Sequence, residues 1–219
     1  MELADIDTIA PKGFLDPDEG RALFELARQA SARGPILEIG GYCGKSTLYL
    51  GMACKVNRGI LYSVDHHRGS EEQQPGQPYF DPELYDPLQS RVDTFRFFRR
   101  AVEEAGLEDT VVPIVAASRV AARMWSTALA MVFIDGGHTY EAAFDDYVSW
   151  SGLLMPGGIL AVHDIFLDPS EGGQAPRFVY SLALASGLYE ELPMVKTLGV
   201  LRRRGPGQVP PEVSSRRDW

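Results

Sequence analysis

Hydrophobic residues along this chain fall into short solid runs, separated by longer stretches in which apolar positions recur every three or four residues. A solid run of about five residues reads as a strand buried on both faces, and the longer period as an amphipathic helix. Strands are predicted at 36–40, 60–64, 111–115, 130–134 and 159–162. Helices are predicted from Asp16 to a stop at Gly34 and Pro35, then over 45–55, 92–105, 118–125 and 140–154. In the first of these Asp16 is the N-cap, Pro17 the first helical residue and Glu19 the capping-box acid. Leu23, Phe24, Ala27 and Ala30 form its apolar face. Residues 155–158, Met-Pro-Gly-Gly, read as a turn before the fifth strand. A helix over 177–186 and two strands near 189–193 and 195–201 end the pattern, the strands as a hairpin. Strands alternating with helices imply a mostly parallel sheet covered on both faces. The expected fold is therefore α/β, a doubly wound seven-stranded sheet with a C-terminal antiparallel hairpin.

Three stretches do not fit either period. Residues 1–15 read as a loose arm, and 205–219, rich in Pro and Ser, as a disordered tail. That leaves one domain over 1–204. Residues 66–90, HHRGSEEQQPGQPYFDPELYDPLQS, carry four prolines and no period. An insertion this long after a strand end reads as a lid or substrate-binding loop.

Composition narrows the picture. A chain of 219 residues with 45% hydrophobic and 23% charged residues is globular and large enough for one sizeable core. Its net charge of −9 argues against nucleic acid, whose phosphates want a basic face. Cys43 and Cys54 have neither a disulfide framework nor a zinc spacing, and read as reduced thiols. No apolar run has the length of a membrane span. The acidic start, MELADIDTIA, does not read as a signal peptide. The expectation is a soluble, cytoplasmic protein without a membrane or nucleic-acid partner, and a homodimer if it assembles, that being the commonest oligomer.

The chemistry begins at residues 35–49, PILEIGGYCGKSTLY. A strand, a glycine-rich turn and a helix start bring bare backbone N–H groups to a polar ligand. A phosphate-cradling G-x-x-x-x-G-K-[ST] loop would need glycine where Ile39 stands, and a G-x-G-x-x-G dinucleotide turn fails at Tyr42. What fits is E-x-G-x-x-x-G: Glu38, Gly40 and Gly44. This spacing resembles the first motif of methyltransferases that use S-adenosylmethionine (SAM).

All four histidines, His66, His67, His138 and His163, follow predicted strand ends, together with Asp65, Asp135 and Asp164. In an open α/β sheet, ligands bind outside the carboxyl ends of the strands. Asp65, 21 residues after Gly44, is placed to accept hydrogen bonds from ribose hydroxyls. Asp135 and Asp164, if their strands are neighbours, could share a divalent cation, Mg²⁺ by oxygen preference. His163 beside Asp164 favours softer metals, and points to Mn²⁺ or to a hydrogen bond with substrate.

The segments ILEIGGYCGKST, VDHH, FIDGGHTYE and GGILAVHDI resemble the metal-dependent O-methyltransferases related to catechol and macrocin O-methyltransferases, over about residues 34–166. The resemblance implies a Rossmann-like fold and a SAM site. The turn would hold the methionine part through Glu38, Gly40, Tyr42, Gly44 and Ser46. Asp65 would hold the ribose, Ser118 would lie by the adenine, and Asp135 would bind metal with Asp164. His138 stands where the catechol enzyme has its lysine base, so His138, with His163, is the catalytic expectation. The family has Asp-Asn or Asp-Asp where this chain has His163-Asp164, which leaves the third metal ligand open. Residues 63–76, SVDHHRGSEEQQPG, look most like the branch that methylates methylmannose polysaccharides. With His66, His67 and Tyr79 as substrate residues, the expected acceptor is a sugar or oligosaccharide hydroxyl. A phenolic acceptor, and an NTPase-like nucleotide-binding protein without methyl transfer, are the alternatives.

Overall fold

The computed structural model describes residues 6–208. In chain order the elements are α1 (Ile6–Ile9), α2 (Pro17–Ala30), β1 (Ile36–Ile39), α3 (Lys45–Val56), β2 (Leu61–Asp65), β3 (Tyr85–Asp86), β4 (Arg91–Val92) and α4 (Phe95–Glu104). They continue with β5 (Val111–Val115), α5 (Ser118–Ala122), β6 (Leu129–Ile134), α6 (Tyr140–Trp150), β7 (Leu154–Val162), α7 (Ala175–Ala185), β8 (Tyr189–Val195) and β9 (Leu198–Arg203). The main sheet has the order β5-β2-β1-β6-β7-β9-β8. The first five of these strands are parallel, and β9 runs antiparallel to both β7 and β8.

The solid apolar runs follow from this arrangement, because strands covered on both faces bury every side chain. Ile36, Met131 and Phe133 meet Leu23, Leu48 and Phe98 from α2, α3 and α4 on one face. Leu37, Val132 and Leu160 meet Tyr147, Trp150 and Val179 from α6 and α7 on the other. From β1 the chain builds outward through β2 and β5, then crosses back to continue on the other side as β6 and β7. The strand order reverses between β1 and β6, and that reversal opens a crevice at the carboxyl edge.

Several boundaries differ from the sequence reading for tertiary reasons. The helix expected over 92–105 begins at Phe95, because Val92 pairs with Tyr85 in the short β3–β4 ladder. Residues 155–158 are not a turn but part of β7, where the pairing with β6 shifts from Leu129↔Leu154 to Met131↔Ile159. Arg33 holds this bulge, donating to the carbonyls of Pro156 at 2.6 Å and Gly157 at 2.8 Å. The expected loose arm is packed: Ile6 and Leu15 are buried, and Lys12 pairs with Asp81 at 2.5 Å and Glu83 at 2.7 Å. The arm thereby grips the 66–90 loop, which buries Leu84 beside Cys43 and Val92. Residues 1–5 of the arm, and 209–219 of the tail, lie outside the described residues.

Cys43 and Cys54 are buried free thiols, both pushed up to about 12 by burial. No helix among the described residues is long and apolar enough to cross a membrane.

Candidate active site

The crevice at the carboxyl ends of β1, β2, β5, β6 and β7 encloses a cavity of about 760 Å³, in the size range of small-molecule sites. Its floor is the glycine turn after β1. Gly40 has φ +91°, and a Cβ built there would lie 2.0 Å from the carbonyl oxygen of Asp135. Only glycine lets β1 and β6 end this close together.

Glu38 sits behind this turn. Its carboxylate is fully buried and accepts hydrogen bonds from the hydroxyls of Ser46 at 2.5 Å, Thr47 at 2.6 Å and Ser63 at 2.6 Å. Burial raises its pKa, and these three hydrogen bonds oppose the rise. Glu38 is therefore not a wall of the cavity, contrary to the cofactor contact that the motif implies. It ties the first turn of α3 to β1 and β2 from behind. Gly44 likewise faces α4, with Ala101 Cβ 3.2 Å from where its own Cβ would be, and starts α3 at φ +98°. Gly40, Gly41, Tyr42, Lys45 and Ser46 are the turn residues that line the cavity.

Asp65 ends β2 with both oxygens fixed from behind. The Tyr42 N–H donates to Oδ2 at 2.8 Å and the His67 N–H to Oδ1 at 2.7 Å. The carboxylate lines the cavity, and each oxygen keeps a further lone pair for a ligand hydroxyl. Its neighbours divide. His66 is half exposed on the cavity wall, and its Nδ1 accepts from the Arg68 N–H at 3.0 Å. His67 points the other way and is not a substrate residue. It is buried between Phe95 and Phe98, with ring centroids 5.0 and 5.1 Å away, and its Nδ1 meets Thr94 Oγ1 at 2.8 Å.

Burial lowers the pKa of His67 below its ordinary 6.5, against an opposing pull from Asp65. A group depressed on folding contributes stability above its unfolded pKa and loses it as pH falls through the folded one. The melting temperature should therefore fall more steeply below about pH 6.5 in the wild type than in His67→Gln, which cannot charge. Parallel melting curves across that window would show that His67 does not carry this acid sensitivity.

The second group of site residues stands at the ends of β6 and β7, which are neighbours as the sequence reading required. His163 is buried, with Nδ1 3.1 Å from Asp135 Oδ1 and Nε2 3.0 Å from Glu19 Oε2. Burial lowers its pKa, but Asp135 and Glu19 outweigh that and hold it at about 11. Burial also works to raise the pKa of Glu19, yet hydrogen bonds from His163 and Thr197 bring it down to about 2. Both nitrogens of His163 are thus committed within a buried ion cluster. It is not free to act as a base or to bind substrate, contrary to expectation, and it anchors Asp135.

His138 lies between two carboxylates, Nε2 3.2 Å from Asp164 Oδ2 and Nδ1 3.3 Å from Glu72 Oε2 in the 66–90 loop. Asp164 holds a left-handed conformation at φ +59°, a region that Asp tolerates better than most residues. Its pKa is raised by burial and by the charge of Asp135, against the pull of His163 and His138. One ligand atom each from Asp135, His138 and Asp164 lies within 4.8 Å of the others. Two carboxylates and an imidazole are a fitting donor set for a divalent cation, with the imidazole tilting the choice from Mg²⁺ toward Mn²⁺.

The remaining candidates are at the rim. Tyr79 is 52% exposed and meets Phe14, 66% exposed, edge-on at 5.4 Å. Ser118 lines the cavity but does not cap α5, whose N-cap is Ala117; it accepts a hydrogen bond from Trp150 Nε1 at 2.8 Å. Two residues have roles that the sequence did not signal. Glu19 was legible only as a helix-capping acid, since its partners His163 and Thr197 are far along the chain. Asp146 reads as one more polar position on α6, yet it is buried against the cavity.

A doubly wound sheet with a glycine turn, a strand-end acid and an acid–histidine cluster in one crevice defines an α/β protein with its candidate ligand site at the strand-order reversal. The family profile described as a methyltransferase domain matches residues 37–165, and the chain belongs to that family. Solved structures of similar fold include the O-methyltransferase TomG of Streptomyces achromogenes, involved in tomaymycin synthesis and determined with SAM. It is 18% identical with a TM-score of 0.63, over 93% of this chain and 89% of that one. An O-methyltransferase from Bacillus cereus, in complex with S-adenosylhomocysteine (SAH), is 17% identical with a TM-score of 0.62, over 92% and 90%. The SAH-bound methyltransferase PaMTH1 of Podospora anserina is 17% identical with a TM-score of 0.60, over 93% and 88%. At these identities the likeness speaks for the Rossmann-like fold, and the family match sets the NTPase alternative aside.

Proposed function

We propose that this methyltransferase takes its methyl group from SAM and delivers it to a hydroxyl of a small polar acceptor, a sugar or oligosaccharide, at a site that holds a divalent cation. The observation that carries the reading is one cavity shared by Asp65, fixed for ribose hydroxyls, and by the Asp135–His138–Asp164 cluster. SAM and SAH in the structural neighbours named above support the choice of cofactor.

The reaction moves a methyl group from sulfonium to oxygen; the hydroxyl loses its proton and SAH leaves. A divalent cation bound by Asp135, His138 and Asp164 would serve as a Lewis acid that makes the hydroxyl easier to deprotonate. Glu72 fixes the His138 ring through Nδ1 and turns Nε2 toward Asp164, the orientation a histidine ligand needs. His138 thus fits the open place of third ligand, rather than that of a free base. Holding acceptor and cofactor in line supplies much of the remaining acceleration. The sugar reading rests on the mouth of the cavity, where Phe14 and Tyr79 offer ring faces beside Glu71, Gln73 and Gln74. A screen of SAM consumption against sugars and phenols tests it. Turnover with phenols alone would reject the sugar class.

Cofactor binding has its own test. SAM or SAH at about a hundredfold above Kd should stabilise the fold by about 2.7 kcal/mol and raise the melting temperature, and ATP and NAD should not. Asp65→Ala should weaken SAM binding by about tenfold or more, through loss of charged hydrogen bonds to the ribose. Unchanged affinity would take Asp65 out of the site.

A further inference from the structure

Asp146 is only 6% exposed, yet it lines the cavity from α6. It lies against the stretch after β6: a Cβ built on Gly136 would come within 2.5 Å of its Oδ2. On its other side stands Ser118. The Ser118 oxygen accepts from Trp150 Nε1, and its hydroxyl lies close enough to Asp146 to lower the carboxyl pKa. Burial raises the pKa of Asp146 to about 6, with the Ser118 hydrogen bond opposing. Its carboxyl group faces the cavity from a buried position, where a polar group calls for hydrogen-bond partners.

The cavity lining on this side comprises Ala116, Ala117 and Arg119 from the β5–α5 stretch, Gly136 and Gly137 after β6, and Ala142 and Asp145 on α6. These residues line a slot on the β5–α6 side of the cavity. Along the sheet edge the cation-type cluster lies at β6 and β7, Asp65 at β2, and this slot by β5 and α6. A ligand whose ribose meets Asp65 and whose sulfonium end reaches toward the cluster leaves its base for the slot.

From this juxtaposition we propose that Asp146 is the residue that selects adenine, by accepting a hydrogen bond from the amino group of the base; this rests on the SAM reading above. A base with an oxo group in place of the amino group would set acceptor against acceptor at a buried carboxylate. Such a site rejects the wrong partner more strongly than a merely apolar pocket does.

The test compares SAH with its deaminated analogue, S-inosylhomocysteine, by isothermal titration calorimetry. The wild type should prefer SAH by at least about tenfold, the factor that corresponds to one charge-assisted hydrogen bond. Asp146→Asn, which can offer an N–H to the oxo group, and Asp146→Ala should both narrow the preference to about threefold or less. Asp65→Ala should weaken both ligands together and leave the ratio unchanged. A merely structural role for Asp146 would lower the melting temperature of the ligand-free protein without changing the ratio. A wild type that binds both ligands alike, or variants that keep its full preference, would overturn the proposal, and the wild-type ratio decides if neither variant folds. A wild type that binds SAH not at all would instead overturn the SAM reading itself.

Discussion

Asp164→Asn is expected to lower turnover by on the order of a hundredfold or more while leaving the protein folded. Asp164 ends β7 at φ +59°, a conformation that asparagine also accepts, so the backbone has no reason to move. The charge is what changes. Burial and Asp135 hold the carboxyl pKa above its ordinary value, so its ionised form is disfavoured in the folded chain without a cation. Removing the charge should leave the melting temperature of the metal-free protein unchanged or slightly higher. The same charge is half of the carboxylate pair offered to a cation. In parallel, wild-type activity should vanish in EDTA and return with Mg²⁺ or Mn²⁺. Full activity in chelator would remove the cation from the reaction, and a collapsed melting temperature would make Asp164 structural.

His138→Ala is expected to raise the metal concentration for half-maximal activity by about ten- to a hundredfold, with much of the turnover recovered at saturating metal. The reason is geometric: Nε2 lies 3.2 Å from Asp164 Oδ2, one ring nitrogen lies within ligand spacing of both carboxylates, and Nδ1 is turned toward Glu72. A base at this position would behave differently. Turnover would fall by about 10²–10⁴ with an unchanged metal requirement, and would partly return at high pH. Metal titrations of the two proteins at two pH values separate these roles, and an unshifted requirement would reject His138 as a ligand.

Much of the fold was legible because its causes are local. Strands buried on both faces must be solid apolar runs, and β1, β2, β5 and β6 fall within a residue of the runs that predicted them. Asp16 and Glu19 close a capping box around the start of α2 through contacts three residues apart. Gly40 could be read as a close-approach glycine from its place in the motif alone. The 92–105 boundary and the 155–158 segment were misread because the groups that decide them, Tyr85, Leu129 and Arg33, lie elsewhere in the chain.

The sequence by itself determined which residues would gather at the carboxyl edge, because strand ends in a parallel sheet share one side. It could not determine what each would do there. His66 and His67 are adjacent, yet one faces the cavity and the other is buried between two phenylalanines of α4. His163 reads as a free catalytic group, yet its Nε2 meets Glu19, 144 positions earlier. Asp146 carried no signal at all, since its meaning comes from Ser118 and Gly136 across the slot. Charge state, orientation and access depend on neighbours brought together only by folding, and only the tertiary structure supplies them.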